Sequence, residues 1–249
     1  MVKIMRQSDD VIRYLKRNEY DNLNAVNYLS YNKDADIYLY NGDIENGVII
    51  GSAEQDPFFI DTINKDFLNE FWALLPRGHK TFSGVPKHIA DVFRAGKEIL
   101  WQSPCKTYVY NNSGVKLMQS GKYKDESLTV FDAEEVDKYY TYRDEGSVNM
   151  LRESIERADS SCIRIVGVLA AWCMVHAEDG SMGPIYTKEE YRRQGLAEIL
   201  ACRVIGKLIA KKAIPYVQIV DGNHFPLNLA DKLEGMEYSH DCVWFGIVK

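Results

Sequence analysis

The 249-residue sequence predicts an α/β protein. Three observations carry that expectation. Short apolar runs have the length of strands. Other segments repeat their apolar residues at helical spacing. In the second half the two kinds alternate in close succession. Hydrophobic residues make up 46% of the chain and charged residues 27%, enough to bury a core in water. The length suits one large domain or two smaller ones.

In the first half a helix is expected around Val11 to Lys16. Strands follow near Ile37 to Tyr40 and Val48 to Gly51. Between them Asn41 and Gly42 suit a tight hairpin turn, since both tolerate positive φ. "PFFIDTI" reads as a further strand. "KDFLNEFWALL" places Phe67, Phe71, Leu74 and Leu75 at helical spacing. "PKHIADVFRAG" carries proline at a helix start and glycine at its end. "KTYVYNN" is a strand with a turn-forming exit. The polar stretch from Asn111 to Ser127 reads as a hairpin or an interdomain connection. The chain is therefore divided into residues 1–125, a smaller α/β half, and 126–249.

The second half is more sharply patterned. "AEEVDKYYTY" and "VNMLRESIERA" read as helices, the latter with Met150, Leu151, Ser154 and Ile155 on one face. "CIRIV" and "VLAAWCMVH" are strands split at Gly167, and Glu178 to Gly180 form a hairpin turn. "MGPIYT" is a strand. A helix is expected from about Leu196 to Lys212, with Leu196, Ile199, Leu200, Ile205, Leu208 and Ile209 buried. "YVQIV" is a buried strand, "PLNLADKLEGM" a short helix ending near Gly235, and "CVWFGIV" a closing strand.

Composition narrows the function. The net charge of −6 argues against nucleic acid as the main partner. The N-terminus lacks the apolar core of a secretory signal. The longest apolar run, Ile165 to Val175, is well short of the roughly 20 residues of a membrane span. Five cysteines without a C-x-x-C pair suit buried, reduced thiols in a cytoplasmic protein. The five histidines show no metal-ligand spacing.

The chemically pointed stretch is "TKEEYRRQGLAEIL", Thr187 to Leu200. A helix start leaves about four backbone N–H groups unpaired, and the peptide dipoles add positive charge there. Arg192, Arg193 and Gln194 precede Gly195, which lets a bulky ligand approach the backbone, and small Ala197 keeps the next turn open. This arrangement suits a phosphate or pyrophosphate. Neither G-x-x-x-x-G-K-S/T nor G-x-G-x-x-G occurs, so a P-loop and a dinucleotide fold are not indicated.

The pattern Arg192-x-x-Gly195-x-Ala197, after an apolar strand and before a long helix, resembles the acyl-CoA pyrophosphate loop of the GNAT acyltransferase superfamily. "SIERADSSCIRIV", "AAWCMVHAEDGSMG", "YTKEEYRRQGL" and "YVQIVDGNHFP" are similar, in order and spacing, to the glycine N-acyltransferase-like family. The clear similarity spans roughly Asp132 to Pro226; the first half matches only loosely. The resemblance implies a GNAT fold: a mixed central sheet with splayed strands flanked by helices, preceded by a degenerate GNAT-like half. It implies acetyl-CoA or another acyl-CoA as co-substrate, a small amine as acceptor, and no metal. The loop residues Arg192, Arg193, Gln194, Gly195, Leu196 and Ala197 would hold the pyrophosphate. Ile185, Tyr186 and Thr187 would line the pantetheine arm, with Asn223 touching it.

The implied reaction is attack of a neutral amine on a thioester, which needs a group to take the amine proton and a donor for the oxyanion. Two residues depart from the family pattern. Ala230 stands where many GNAT enzymes carry a tyrosine acid. Ser181 stands where the glycine N-acyltransferases carry a glutamate base, and a serine is no base at neutral pH without help. His176 and His224 are the other candidates. Asp221, beside His224 on the turn after "YVQIV", reads as a further candidate or a turn residue; Glu178 and Asp179 read as hairpin polar residues, and Tyr186 and Tyr216 as packing in preference to acids for the thiolate. An acyl-CoA-binding protein without turnover is the rival expectation.

Overall fold

The computed structural model describes residues 1–6, 9–52, 57–111 and 121–249. Most of the connection expected between Asn111 and Ser127 thus lies outside the described residues. The chain forms two compact units. One comprises Met1–Thr107, Gln218–Gly222 and Ser239–Lys249; the other comprises Tyr108–Val217 and Asn223–Tyr238. Two segments late in the sequence thus belong to the first unit.

The first unit begins with β1 (Val2–Met5), α1 (Asp9–Leu15) and α2 (Leu23–Tyr31), followed by β2 (Asp36–Tyr40), β3 (Asp43–Gly51) and β4 (Phe59–Asp61). These four strands make an antiparallel sheet in the order β1-β2-β3-β4. Asn41 and Gly42, at φ +56° and +74°, form the expected turn of the β2–β3 hairpin. Next come α3 (Lys65–Leu74), β5 (His79–Pro86), α4 (Lys87–Arg94) and β6 (Ile99–Tyr110). α3 buries Phe67, Leu68 and Phe71 at three- and four-residue spacing, and α4 buries Ile89, Ala90 and Phe93. These side chains meet Phe58, Phe82 and Phe245 in an aromatic core; the rings of Phe82 and Phe245 stack at 4.9 Å.

The second unit contains α5 (Ala133–Asp137), α6 (Ser147–Arg157), β7 (Ser160–Ile165), β8 (Val168–Val175), β9 (Met182–Thr187) and α7 (Leu196–Ala210). β10 (Tyr216–Val220), α8 (His224–Lys232) and β11 (Met236–Val248) complete the chain. β7, β8 and β9 form an antiparallel three-stranded sheet. Leu151 and Ile155 of α6 pack with Cys162, Leu169, Trp172 and Met174 on one face of it. α7 lies against the same strands and buries Leu196, Ile199, Leu200, Ala201, Cys202, Val204, Ile205 and Leu208. Its buried surface is wider than the expected stripe, and Ile209 is only half-buried.

The other four-stranded sheet has the order β10-β6-β11-β5, and β11 pairs antiparallel with β5 in the first unit. β6, β10 and β11 contribute residues to both units. The closing strand is longer than "CVWFGIV" suggests. All five cysteines are buried and none forms a disulfide. No helix among the described residues is long and apolar enough to cross a membrane.

Candidate functional site

β9 is an edge strand: among the described residues it pairs with β8 alone. Which of its backbone groups face the open edge follows from the ladder. The N–H of Lys188, the next residue, donates to the Ala170 carbonyl at 3.0 Å. In an antiparallel pair the bonded residues alternate, so Tyr186 also turns its backbone groups towards β8. Ile185 and Thr187 then turn theirs outward. β9 therefore presents a short row of amide groups to whatever lies beside it.

The strand runs into the loop before α7. Gly195 is the N-cap residue, at φ +74°, and no side chain caps the helix. A Cβ placed on Gly195 would meet no atom within 4 Å, so the helix start is open. The first internal hydrogen bond runs from the Ile199 N–H to the Gly195 carbonyl, at 3.2 Å. The N–H groups ahead of Ile199 have no partner inside the helix. Arg193 is exposed at φ +62°, so positive-φ residues stand on either side of Gln194 and turn the backbone sharply into α7. Leu196 is buried and anchors the turn, and Ala197 is half-buried. Glu198 also sits in the first turn of α7.

Arg192 does not simply face solvent. Its Nε donates to the Thr187 carbonyl at 3.1 Å and its Nη2 to the Tyr186 hydroxyl at 3.3 Å, and it pairs with Glu189 at 3.4 Å. It ties the end of β9 to the loop. Gln194 accepts a hydrogen bond from the Tyr123 hydroxyl at 3.4 Å, a contact the sequence pattern does not reveal. Lys188 is buried and bonded to Glu135, beside the tilted rings of Tyr139, Trp172 and Tyr186. Thr187 Oγ is buried with no hydrogen-bond partner among the described residues.

The opposite end of β9 gathers polar groups. His176 follows β8 and Ser181 precedes β9; the His176 N–H donates to the Ser181 carbonyl at 2.9 Å. Burial pushes the His176 imidazole below its ordinary pKa against the pull of Asp179, so the ring is neutral at pH 7. Gly183 leaves room beside it: a Cβ there would lie 3.6 Å from His176 Nε2. Asp179, expected as an ordinary turn residue, is 1% exposed, whereas Glu178 is exposed as expected. Tyr216 is fully buried and its hydroxyl donates to the Asp179 carbonyl at 2.6 Å. His176 and Ser181 thus come together. His224 does not join them: it opens α8, exposed, and no hydrogen bond links it to either among the described residues. Asn223, before it, is exposed and its side chain does not cap α8.

Comparison with known proteins supplies the fold. A family model described as FR47-like protein matches residues 162–245. No curated protein matches the chain. A crystal structure of a Drosophila protein superposes with a TM-score of 0.79 at 15% identity, covering 98% of each chain. An acetyltransferase of the GNAT family from Colwellia psychrerythraea gives 0.57 at 11% identity over 100% of both chains. A tandem GNAT protein from the clavulanic acid biosynthesis pathway gives 0.55 at 10% identity, over 99% of this chain and 98% of that one. The chain has the α/β GNAT fold, and the likeness to a tandem protein spans both halves.

Proposed function

We propose that this protein is an acyl-CoA-dependent N-acyltransferase that moves an acetyl or other acyl group to a small amine by direct attack in a ternary complex. The observation that carries the reading is the open edge of β9 leading into the uncapped start of α7. Backbone donors converge at Gly195, Arg193 stands beside them, and both favour a pyrophosphate. From there an acyl-pantetheine arm follows the outward amides of Thr187 and Ile185, past Tyr186, towards the start of β9. Arg192, Gln194, Leu196 and Ala197 shape the loop, and Asn223 is assigned to the arm. The sequence resemblance to glycine N-acyltransferase-like proteins supports an amino acid or similar metabolite as acceptor.

β9 is roughly 17 Å long at the usual rise per residue. The thioester then lies near Ser181 and His176. The outward N–H groups of β9 are suited to hold the oxyanion. Neutral His176 is one group able to take the amine proton; His224 is assigned a secondary part from its exposed place on α8. CoA then leaves as its thiolate. The serine at the start of β9 favours a second reading, an acyl-CoA-binding protein without turnover.

Thermal shift with acetyl-CoA, free CoA and NAD tests the assignment. Ligand at about 100 times its Kd adds roughly 2.7 kcal/mol of stability. A shift with both CoA compounds and none with NAD is expected. No shift with either CoA compound refutes both readings. A shift without CoA release in the presence of any amine selects the second.

A further inference from the structure

Acyl transfer, as read above, asks for a carboxylate at the start of β9, and Ser181 stands there. A carboxylate is present two residues earlier. Asp179 lies in the β8–β9 turn, yet it is 1% exposed, and Ser181 is 5% exposed. The Ser181 hydroxyl donates to Asp179 Oδ1 at 2.7 Å, and the Ser181 N–H donates to the same oxygen at 3.0 Å. The Tyr216 hydroxyl, bonded to the Asp179 carbonyl, fixes the backbone of the turn. An aspartate that merely closes a hairpin stays wet, and aspartates are almost never fully buried without a partner. Here the carboxylate is buried against the Ser181 hydroxyl, and its charge acts on the buried His176 imidazole.

The direction of the Ser181–Asp179 bond matters. A hydroxyl has one proton, and this one is given to the carboxylate. What Ser181 can offer a ligand is therefore its lone pairs. An attacking amine, which becomes positive as it bonds to carbon, is a donor that needs such an acceptor.

We propose that Ser181 and Asp179 form a proton relay that replaces the missing carboxylate of β9. The amine nitrogen bonds to the thioester carbonyl carbon. Its proton passes to Ser181 Oγ while the Ser181 hydroxyl proton passes to Asp179. The C–S bond breaks, CoA leaves as the thiolate, and the relay runs back: Asp179 returns its proton to Ser181 as the Ser181 hydroxyl proton passes to that thiolate. Ser181 touches the amine. Asp179 acts only through Ser181 and is a positioning residue for it.

The test is CoA release from acetyl-CoA across a panel of small amines, with Asp179→Asn, Ser181→Ala, the double variant and His176→Gln. Asparagine keeps the shape and an acceptor oxygen. Each relay variant is expected to lower kcat by about a hundredfold or more, the double no further, since members of one relay are not additive. KM for acetyl-CoA and the acetyl-CoA thermal shift stay at wild-type values, which a merely structural role would not preserve alongside the kcat loss. Asp179→Asn with kcat within about threefold of wild type overturns the relay. So does a double variant whose loss is the product of the single losses. Should Asp179→Asn not fold, Ser181→Ala decides: wild-type kcat there overturns the relay. Loss on His176→Gln with a fully active Asp179→Asn gives the role to His176 instead. A wild-type protein that binds acetyl-CoA and acylates no amine refutes the transfer reading itself, and the relay with it.

Discussion

The two units contain the same passage built twice. In the first, the β2–β3 hairpin is followed by β4 and then α3; in the second, the β7–β8 hairpin is followed by β9 and then α7. The helix starts differ. At α3 the Asn64 side chain accepts from the N–H groups of Asp66 and Phe67, each at 3.1 Å, so the protein occupies its own anion position. At α7 the equivalent place is Gly195, with no side chain and open space around it. The strand ends differ too. After β4 the neutral Thr62 bonds the Asn46 carbonyl at 2.8 Å; after β9 a buried lysine, Lys188, is held by Glu135. One passage is sealed by its own residues; the other is open, left for a ligand on the function proposed above. On that proposal the lesson is that an anion site is made by withholding a cap, not by adding a fold.

Four variants break or sharpen this contrast. The largest effect is expected from Gly195→Asp, which puts a carboxylate into the open helix start. It should erase the acetyl-CoA thermal shift, a loss of about 2.7 kcal/mol of ligand stabilisation at saturating concentration, while the unliganded protein still melts cooperatively. An undiminished shift would refute the Gly195 site.

Glu135→Gln should cost about 2 kcal/mol at neutral pH, read by urea unfolding, because it strands the buried Lys188. The hydrogen bond from Lys188, and then that from Lys138, holds the Glu135 carboxyl below its ordinary value of 4.5. A depressed pKa contributes stability that is fully present above 4.5 and is lost as pH falls through the lower folded value. The variant should therefore show a shallower loss of stability than wild type below that point. Parallel curves would show that the pair does not couple to folding.

Asn64→Ala should cost about 1 kcal/mol through the lost cap and leave the acetyl-CoA shift untouched. A diminished shift would mean that the first passage takes part in binding.

The smallest effect concerns the hairpins. Asn41-Gly42 and Val166-Gly167 have nearly the same turn, with Asn41 at φ +56° and Val166 at +51°. Valine is β-branched and strained there, and it is 98% exposed, so packing does not repay it. Val166→Asn should raise stability by up to about 1 kcal/mol in the same melts. No gain would mean that the turn relaxes without cost.

Legibility in the sequence follows locality. The Asn41-Gly42 turn, α3, α4, α7 and the strand–loop–helix around Gly195 are written in neighbouring residues and were readable. α2 was not, because its pattern contains Asn24, a buried polar residue whose amide pairs with that of Gln218 far along the chain. β5 was not, because Lys80, Ser83 and Gly84 interrupt its apolar run and its partner is the last strand. In the site, the loop pattern was legible, but the retreat of Arg192 onto Thr187 and the contact of Tyr123 with Gln194 were not. Asp179 shows the limit most clearly. A wet turn aspartate and a buried one read identically in one dimension; only the burial of Ser181 and Tyr216 around it separates them.

The pairing of β11 with β5 has a consequence for synthesis. The ribosome delivers β5 well before its neighbour in the sheet, β11. Until then the Phe82 edge of the first unit waits unpaired while the β7–β8–β9 passage, all of whose partners are close in sequence, is free to form. The unit begun first is thus completed only after the β7–β8–β9 passage has been made, when β11 arrives.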